Sequence, residues 1–247
     1  MTLALLLYVL LGLLAGALTT LAGQGGGLFL LIACSALAGP HAALAITSPA
    51  LLLGNLHRAF LFRAHIARRI AVRMVLGAVP GALAGGLLTG VTPGWTLRVM
   101  LVVLTALAIA KAAGLLRFSV PERALLPAGA VVGAMTGTAG GAGVLFAPVL
   151  LSVGLTGAAF VATSSTVAVA THLGRVAGYA GLGMFDRRLL GPTVAVACAI
   201  FAGNALGERI HAFGAALRGA TGWAKVRSVL ESATLVLCVL LSALGFG

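Results

Sequence analysis

The chain has 247 residues, of which 61% are hydrophobic and only 8% are charged, and its formal net charge is +12. A soluble globular domain carries about 25% charged residues, so the composition excludes a water-soluble domain and indicates an all-α polytopic membrane protein. The Lys and Arg residues lie mostly between apolar segments. This favours a role in membrane topology and in contacts with the lipid bilayer over nucleic-acid binding.

The first half contains five apolar segments. A transmembrane helix needs about 20 apolar residues, and the first segment, Leu3–Ala22, has that length without a basic region or cleavage site that would predict a signal peptide. The second segment is short, and it lies between the glycine-rich GQGGG and Gly39-Pro40, which predicts a broken or tilted helix. The second to fifth segments cover residues 27–37, 42–56, 72–88 and 97–113.

The second half repeats this order after a short polar stretch, RFSVPER. A basic polar loop, 208–227, is expected between its last two segments. The five segments cover residues 125–139, 144–153, 158–173, 189–206 and 229–244. We therefore divide one membrane domain into an N-terminal repeat (1–116), a linker (117–124) and a C-terminal repeat (125–247).

The odd number of segments in each half predicts that the two repeats are inverted in the membrane. With residues 57–73, 111–123 and 207–227 in the cytoplasm, twelve of the sixteen Lys and Arg are cytoplasmic. A parallel arrangement gives eleven of sixteen, so the positive-inside rule does not distinguish the two topologies. The short linker favours the inverted one.

An internal duplication is the strongest motif in the chain. Residues 16–31 (GALTTLAGQGGGLFLL) align without a gap with residues 133–148 (GAMTGTAGGAGVLFAP), and eight of sixteen positions are identical. Short glycine-interrupted segments at matching positions of two repeats are typical of a transporter's substrate site. The alternative is that these glycines only allow close helix packing, which is how we interpret most others, including Gly81 and Gly85.

Two such breaks near the middle of the membrane would offer unpaired N–H groups and positive helix ends to an anion. Threonine and glutamine side chains beside them could add donors. The substrate-binding residues predicted at the first break are Thr19, Thr20, Gly23, Gln24, Gly25, Gly26 and Gly27. Those predicted at the second break are Thr136, Thr138, Gly140, Gly141 and Gly143.

Further polar residues follow each break at equivalent positions, 117 residues apart. They are Thr47, Ser48, Asn55 and Arg58 in the first half and Ser164, Ser165, His172 and Arg175 in the second. An arginine can bind an oxyanion with two hydrogen bonds, but an arginine at a helix end can also simply reach the membrane interface. Arg175 is the better candidate, because its loop is less basic. Proton coupling through His172 or His57 stays open.

These motifs resemble the TauE/SafE family of sulfite and organosulfonate transporters. The resemblance rests on GALTTLAGQGGG, GAMTGTAGGAG, and the pairs Thr47-Ser48 and Ser164-Ser165, and it covers essentially the whole chain. The family places a proline soon after each break, which Pro148 matches and Leu31 does not. The resemblance implies a bacterial inner-membrane transporter of small sulfur-containing anions, without indicating which anion or which direction.

The residues and the resemblance together predict a secondary transporter that works by alternating access, not an enzyme. No P-loop is present in the sequence, and Cys34, Cys198 and Cys238 are predicted to be packing residues, so we expect no cofactor and no metal. An anion channel is one alternative. An intramembrane hydrolase with Ser164 or Ser165 and His172 is a weaker one. GxxxG-like faces are compatible with a homodimer.

Overall fold

A computed structural model describes residues 3–22, 25–115 and 120–244, and within these ranges the protein is all-helical with no strand. This confirms the predicted fold class. Short 3-10 turns, among them Ala142–Leu145 before α7 and Glu122–Ala124 in the linker, join some of the helices. The helices are α1 (Leu3–Ala22), α2 (Gly26–Ala38), α3 (Pro40–Leu61), α4 (Arg68–Leu88), α5 (Gly94–Ala112), α6 (Leu125–Ala139), α7 (Phe146–Ser152), α8 (Gly157–Gly181) and α9 (Arg187–Leu244).

Four helices in the described ranges are long and apolar enough to cross a membrane: α1, α4, α5 and the first part of α9. The segments after both glycine breaks are short, as predicted: α2 has 13 residues and α7 has 7. Helices α3 and α8 are long enough to span, with 22 and 25 residues, but they are more polar. They carry the Ser, Thr, Asn and His residues predicted for the site, which suits helices that face the protein interior.

The prediction of a polar loop at residues 208–227 is wrong, because α9, a helix of 58 residues, continues through this stretch. The sequence contains no proline after Pro192, so nothing in it removes a helical hydrogen bond. The helix is not straight. The hydroxyl of Thr20 donates a hydrogen bond to Asn204, and Gly25 lies beside Thr234. Thr20 and Gly25 are five residues apart in the sequence, so they lie at most roughly 18 Å from each other. A straight helix would place Asn204 and Thr234 about 45 Å apart.

Glycines bring α4 and α6 into direct backbone contact. A methyl group on Gly81 would meet the carbonyl oxygen of Ala130, and one on Gly85 would meet that of Ala134. A methyl group on Gly133 would in turn meet the carbonyl oxygen of Ala78. Contact partners advance in the same direction along both helices, so α4 and α6 run parallel. The packing interpretation of Gly81 and Gly85 is confirmed.

The same contacts occur between α1 and the first part of α9, at constant offsets in the sequence. A methyl group on Gly203 would meet the carbonyl oxygen of Leu13, one on Gly207 would approach that of Ala17, and one on Gly16 would meet that of Ile200. Each α1 residue lies 117 positions before its α6 counterpart, and each α9 residue lies 122 positions after its α4 counterpart. Each of the two interfaces therefore joins one helix from each half of the chain.

Helices α3 and α8 cross the centre of the molecule in opposite directions. The carbonyl oxygen of Leu44, early in α3, accepts a hydrogen bond from Arg175, late in α8. The backbone N–H of Ala67, just beyond α3, donates to Thr163, early in α8. Because α3 and α8 carry the aligned polar residues of the two halves, equivalent side chains approach the centre from opposite ends of the molecule.

Candidate functional site

A partly open cavity lies where the two glycine breaks meet, with a volume of about 120 Å³. This is enough for several water molecules or one small anion. Gly25 and Gly27 line it from the first break, and Gly141 and Gly143 line it from the second. The N-terminal end of α2 opens into it, where the first N–H groups of the helix lack helical partners and the helix dipole is positive.

The cavity gathers predicted site residues from both halves. Four pairs of lining residues are related by the offset of 117: Thr19 and Thr136, Gly27 and Val144, Leu51 and Ala168, and Asn55 and His172. The predicted residues in the lining are Thr19, Gly25, Gly27, Asn55, Arg58, Thr136, Gly141, Gly143, Ser164, Ser165 and His172.

Several other predicted residues lie outside the cavity lining. Gly26 packs against α1, where a methyl group would meet Thr19 and the Ala15 carbonyl. The hydroxyls of Thr20 and Thr138 donate to Asn204 Oδ1 and the Ala134 carbonyl. Also outside the lining are Thr47, Ser48, Gly140 and Arg175, whereas Gly23 and Gln24 lie outside the described residues.

Three of the four hydroxyls in the described cavity lining already donate to their own helices, and the fourth, that of Ser165, has no such bond. Thr19 and Thr136 each donate to the carbonyl four residues earlier, at 2.7 Å, and Ser164 donates to Val161 at 3.1 Å. Asn55 uses one amide hydrogen on the Leu51 carbonyl. An anion would have to turn these three hydroxyls away from their helices. Among the described lining residues, Arg58 contributes the charged donor.

The charge of the cavity wall is positive. Arg58 lines it, and none of its described lining residues is Asp or Glu. Charges interact far more strongly away from bulk water, so such a cavity attracts an anion and repels a cation. Among the described residues, no cluster of His, Cys, Asp and Glu is placed to hold a metal ion.

Arg175 is fully buried behind the cavity, with an exposed fraction of 0%. Its Nε donates to the hydroxyl of Tyr179 at 3.0 Å and its Nη2 to the carbonyl of Leu44 at 3.3 Å. Among the described residues, Nη1 has no hydrogen-bond partner. The two arginines that the sequence places equivalently therefore have different surroundings.

Sequence reasoning missed the apolar part of the site and the residue that holds Arg175. Leu28, Leu51, Val144, Phe146 and Ala168 line the cavity, and the offset of 117 would have found the pair Leu51 and Ala168 from either member. Tyr179 carries no signal of its own, because a tyrosine late in an apolar helix is usually an interfacial residue.

The fold is that of a multi-pass helical membrane protein, with a candidate substrate site in the cavity between its two halves. Residues 8–244 match the family described as Sulfite exporter TauE/SafE, and the chain belongs to that family. No curated protein and no solved structure matches the chain. The resemblance based on the two glycine motifs is thereby confirmed, and so is the role of the chain in membrane transport.

Proposed function

We propose that the protein is a secondary carrier of small sulfur-containing anions, such as sulfite, thiosulfate or a short sulfonate, in the bacterial inner membrane. The observation that carries this proposal is the cavity at the junction of both breaks, with Arg58 in its wall and no acidic residue among its described lining. Much of its remaining wall is apolar, so Arg58 and the polar side chains of the wall would have to replace the water that a bound anion loses.

An inverted repeat provides the mechanism of alternating access. Helices α3 and α8 are antiparallel, and matching glycine contacts join α1 to α9 and α6 to α4. These contacts support repeats 1–116 and 125–247 that are related by inversion. In such carriers one repeat or bundle rocks against the other around a fixed central site, and the anion is exposed to each side in turn.

Gly143→Ala tests the location of the site. No atom lies within 4 Å of the position that a methyl group on Gly143 would occupy, so the substitution fills cavity space without displacing backbone. For the unmodified protein we expect saturable uptake of radiolabelled sulfite, thiosulfate or sulfoacetate into proteoliposomes, measured with and without a pH gradient. For Gly143→Ala we expect the KM of the transported anion to rise by about tenfold, equivalent to roughly 1.4 kcal/mol of lost binding.

Gly181→Ala is the matched control, because its added methyl group would make only ordinary contact with Leu87, at 3.6 Å, outside the cavity. Its KM should equal that of the unmodified protein. Equal KM values for all three proteins would place the anion elsewhere. Absence of flux for all three anions would remove the sulfur assignment.

A channel is the second candidate, and it would show neither saturation nor stimulation by anion on the opposite side. The hydrolase alternative is weaker. Ser164, Ser165 and His172 lie on one continuous helix, α8, so seven or eight residues separate the serines from the histidine by about 11 Å of helical rise.

A further inference from the structure

Tyr179 and Arg175 form a buried hydrogen-bonded chain in the second half. Arg175 Nε donates to the hydroxyl of Tyr179 at 3.0 Å, and this hydroxyl donates to the carbonyl of Gly137, in α6, at 2.7 Å. Both side chains have an exposed fraction of 0%. The tyrosine therefore holds the guanidinium against α6, just below the second glycine break.

The same guanidinium joins the two halves of the chain. Its Nη2 donates to the Leu44 carbonyl in α3, and it lies 3.1 Å from the position of a methyl group on Gly140. No carboxylate in the described part of the chain forms an ion pair with Arg175, and a buried charge without such a pair depends on the neutral acceptors around it. The position of Arg175 is thus set by Tyr179 and Leu44.

The first half has no tyrosine at the position equivalent to Tyr179. The offset of 117 places Phe62 at the position of Tyr179 and Thr20 at that of Gly137. A phenyl ring cannot accept the hydrogen bond that a tyrosine hydroxyl accepts. Arg58, the equivalent of Arg175, is only partly buried and lines the cavity.

We propose that Tyr179 is a positioning residue that withdraws Arg175 from the cavity and closes the end of the molecule near the C-terminus of α8. The cavity is then reached from the other end, where α3 ends and Arg58 lies. The basic residues around positions 63–73 make that end cytoplasmic by the positive-inside rule. The tyrosine therefore stabilises the inward-facing conformation. This inference rests on the proposed carrier function.

Tyr179→Phe tests the proposal by the accessibility of the cavity. Ala168→Cys supplies a cavity thiol in a chain whose Cys34, Cys198 and Cys238 are replaced by Ser, and a membrane-impermeant maleimide is applied from either side of oriented vesicles. The phenylalanine leaves Arg175 Nε without its acceptor. We expect labelling from the opposite side to accelerate and the ratio of the cytoplasmic to the opposite-side labelling rate of residue 168 to fall by roughly ten- to hundredfold, as for the loss of one hydrogen bond to a charged group.

Phe62→Tyr places a tyrosine at the equivalent position of the first half, where its hydroxyl can accept a hydrogen bond from Arg58. This should favour closure of the cytoplasmic end, so labelling of residue 168 from the side opposite the cytoplasm should increase here too. Tyr8→Phe is the matched control, since Tyr8 is buried in α1, and its labelling should equal that of the parent chain. Unchanged labelling in Tyr179→Phe, with the protein eluting as the parent does in size-exclusion chromatography, would overturn the inference. Labelling does not require transport, so lack of anion flux would count against the carrier alone.

Discussion

Arg58 and Arg175 occupy equivalent positions in the two halves, but their side chains have different surroundings. Their equivalent positions predict equal roles, and the lower charge of its surroundings favoured Arg175 as the anion ligand. The structure instead buries Arg175 against Tyr179 and leaves Arg58 in the cavity wall. In the proposed carrier, the burial of each arginine would depend on which end of the cavity is closed, and a sequence does not specify that end.

Substitution of Arg58 should weaken anion binding in steps. Arg58→Gln removes the charge and should raise the KM of the transported anion by about ten- to hundredfold, as for a hydrogen bond to a charged group. Arg58→Lys keeps the charge but loses the bidentate geometry. Its KM should lie between that of the unmodified protein and that of Arg58→Gln. Initial rates of uptake into proteoliposomes measure both values.

Arg63→Gln is the control for charge at the same end of the molecule. Arg63 is exposed, with its guanidinium carbon 4.3 Å from the centre of the Phe60 ring, and it does not line the cavity. If Arg63→Gln raises the KM as much as Arg58→Gln does, general surface charge attracts the anion and Arg58 has no special role.

At the scale of helices, the glycine rows fix which elements pair. The α4 to α6 and α1 to α9 interfaces are in backbone contact through Gly81, Gly133, Gly16 and Gly203. Sequence reasoning identified small-residue packing but not the partner helix, because all the described α-helices except α7 contain glycines. The charge of residues 208–227 predicts a loop, yet α9 continues through them, because eleven of these twenty residues are Ala, Leu, Glu, Lys or Arg, which favour helix, and none is proline.

Gly133→Ala should destabilise the α4 to α6 interface by about 1–3 kcal/mol, because the added methyl group displaces the backbone of α4. Gly16→Ala should have a similar effect on the α1 to α9 interface. The apparent melting temperature in detergent should fall for both. Gly191→Ala, whose methyl group would lie 3.7 Å from Leu5, should melt as the parent protein does, and equal melting of all four proteins would contradict the contacts.

At the scale of the whole molecule, the proposed alternating access requires inversion of the two halves. The sequence predicted the all-helical class, the short segments and the meeting of the two glycine breaks, because the duplication is local and ungapped. It did not predict which copy of each polar pair faces the cavity. Ser164 and Ser165 line it, whereas Thr47 and Ser48 do not, a difference that arises from tertiary packing.

Equivalent cysteines test the inversion directly. Residues 65 and 182 are related by the offset of 117 and lie just beyond α3 and α8. In a chain without its native cysteines, His65→Cys should react with an impermeant maleimide from the cytoplasmic side and Leu182→Cys from the opposite side. A parallel repeat would place both thiols on the same side.

Counterflow is the measurement that tests the carrier most directly. Proteoliposomes loaded with a high concentration of unlabelled sulfite are diluted into a trace of radiolabelled sulfite, and internal label is followed over time. A site that is open to one side at a time exchanges internal for external anion, so we expect label to accumulate transiently above its equilibrium level. Label that rises only to equilibrium, at a rate proportional to concentration, would indicate a channel and contradict alternating access.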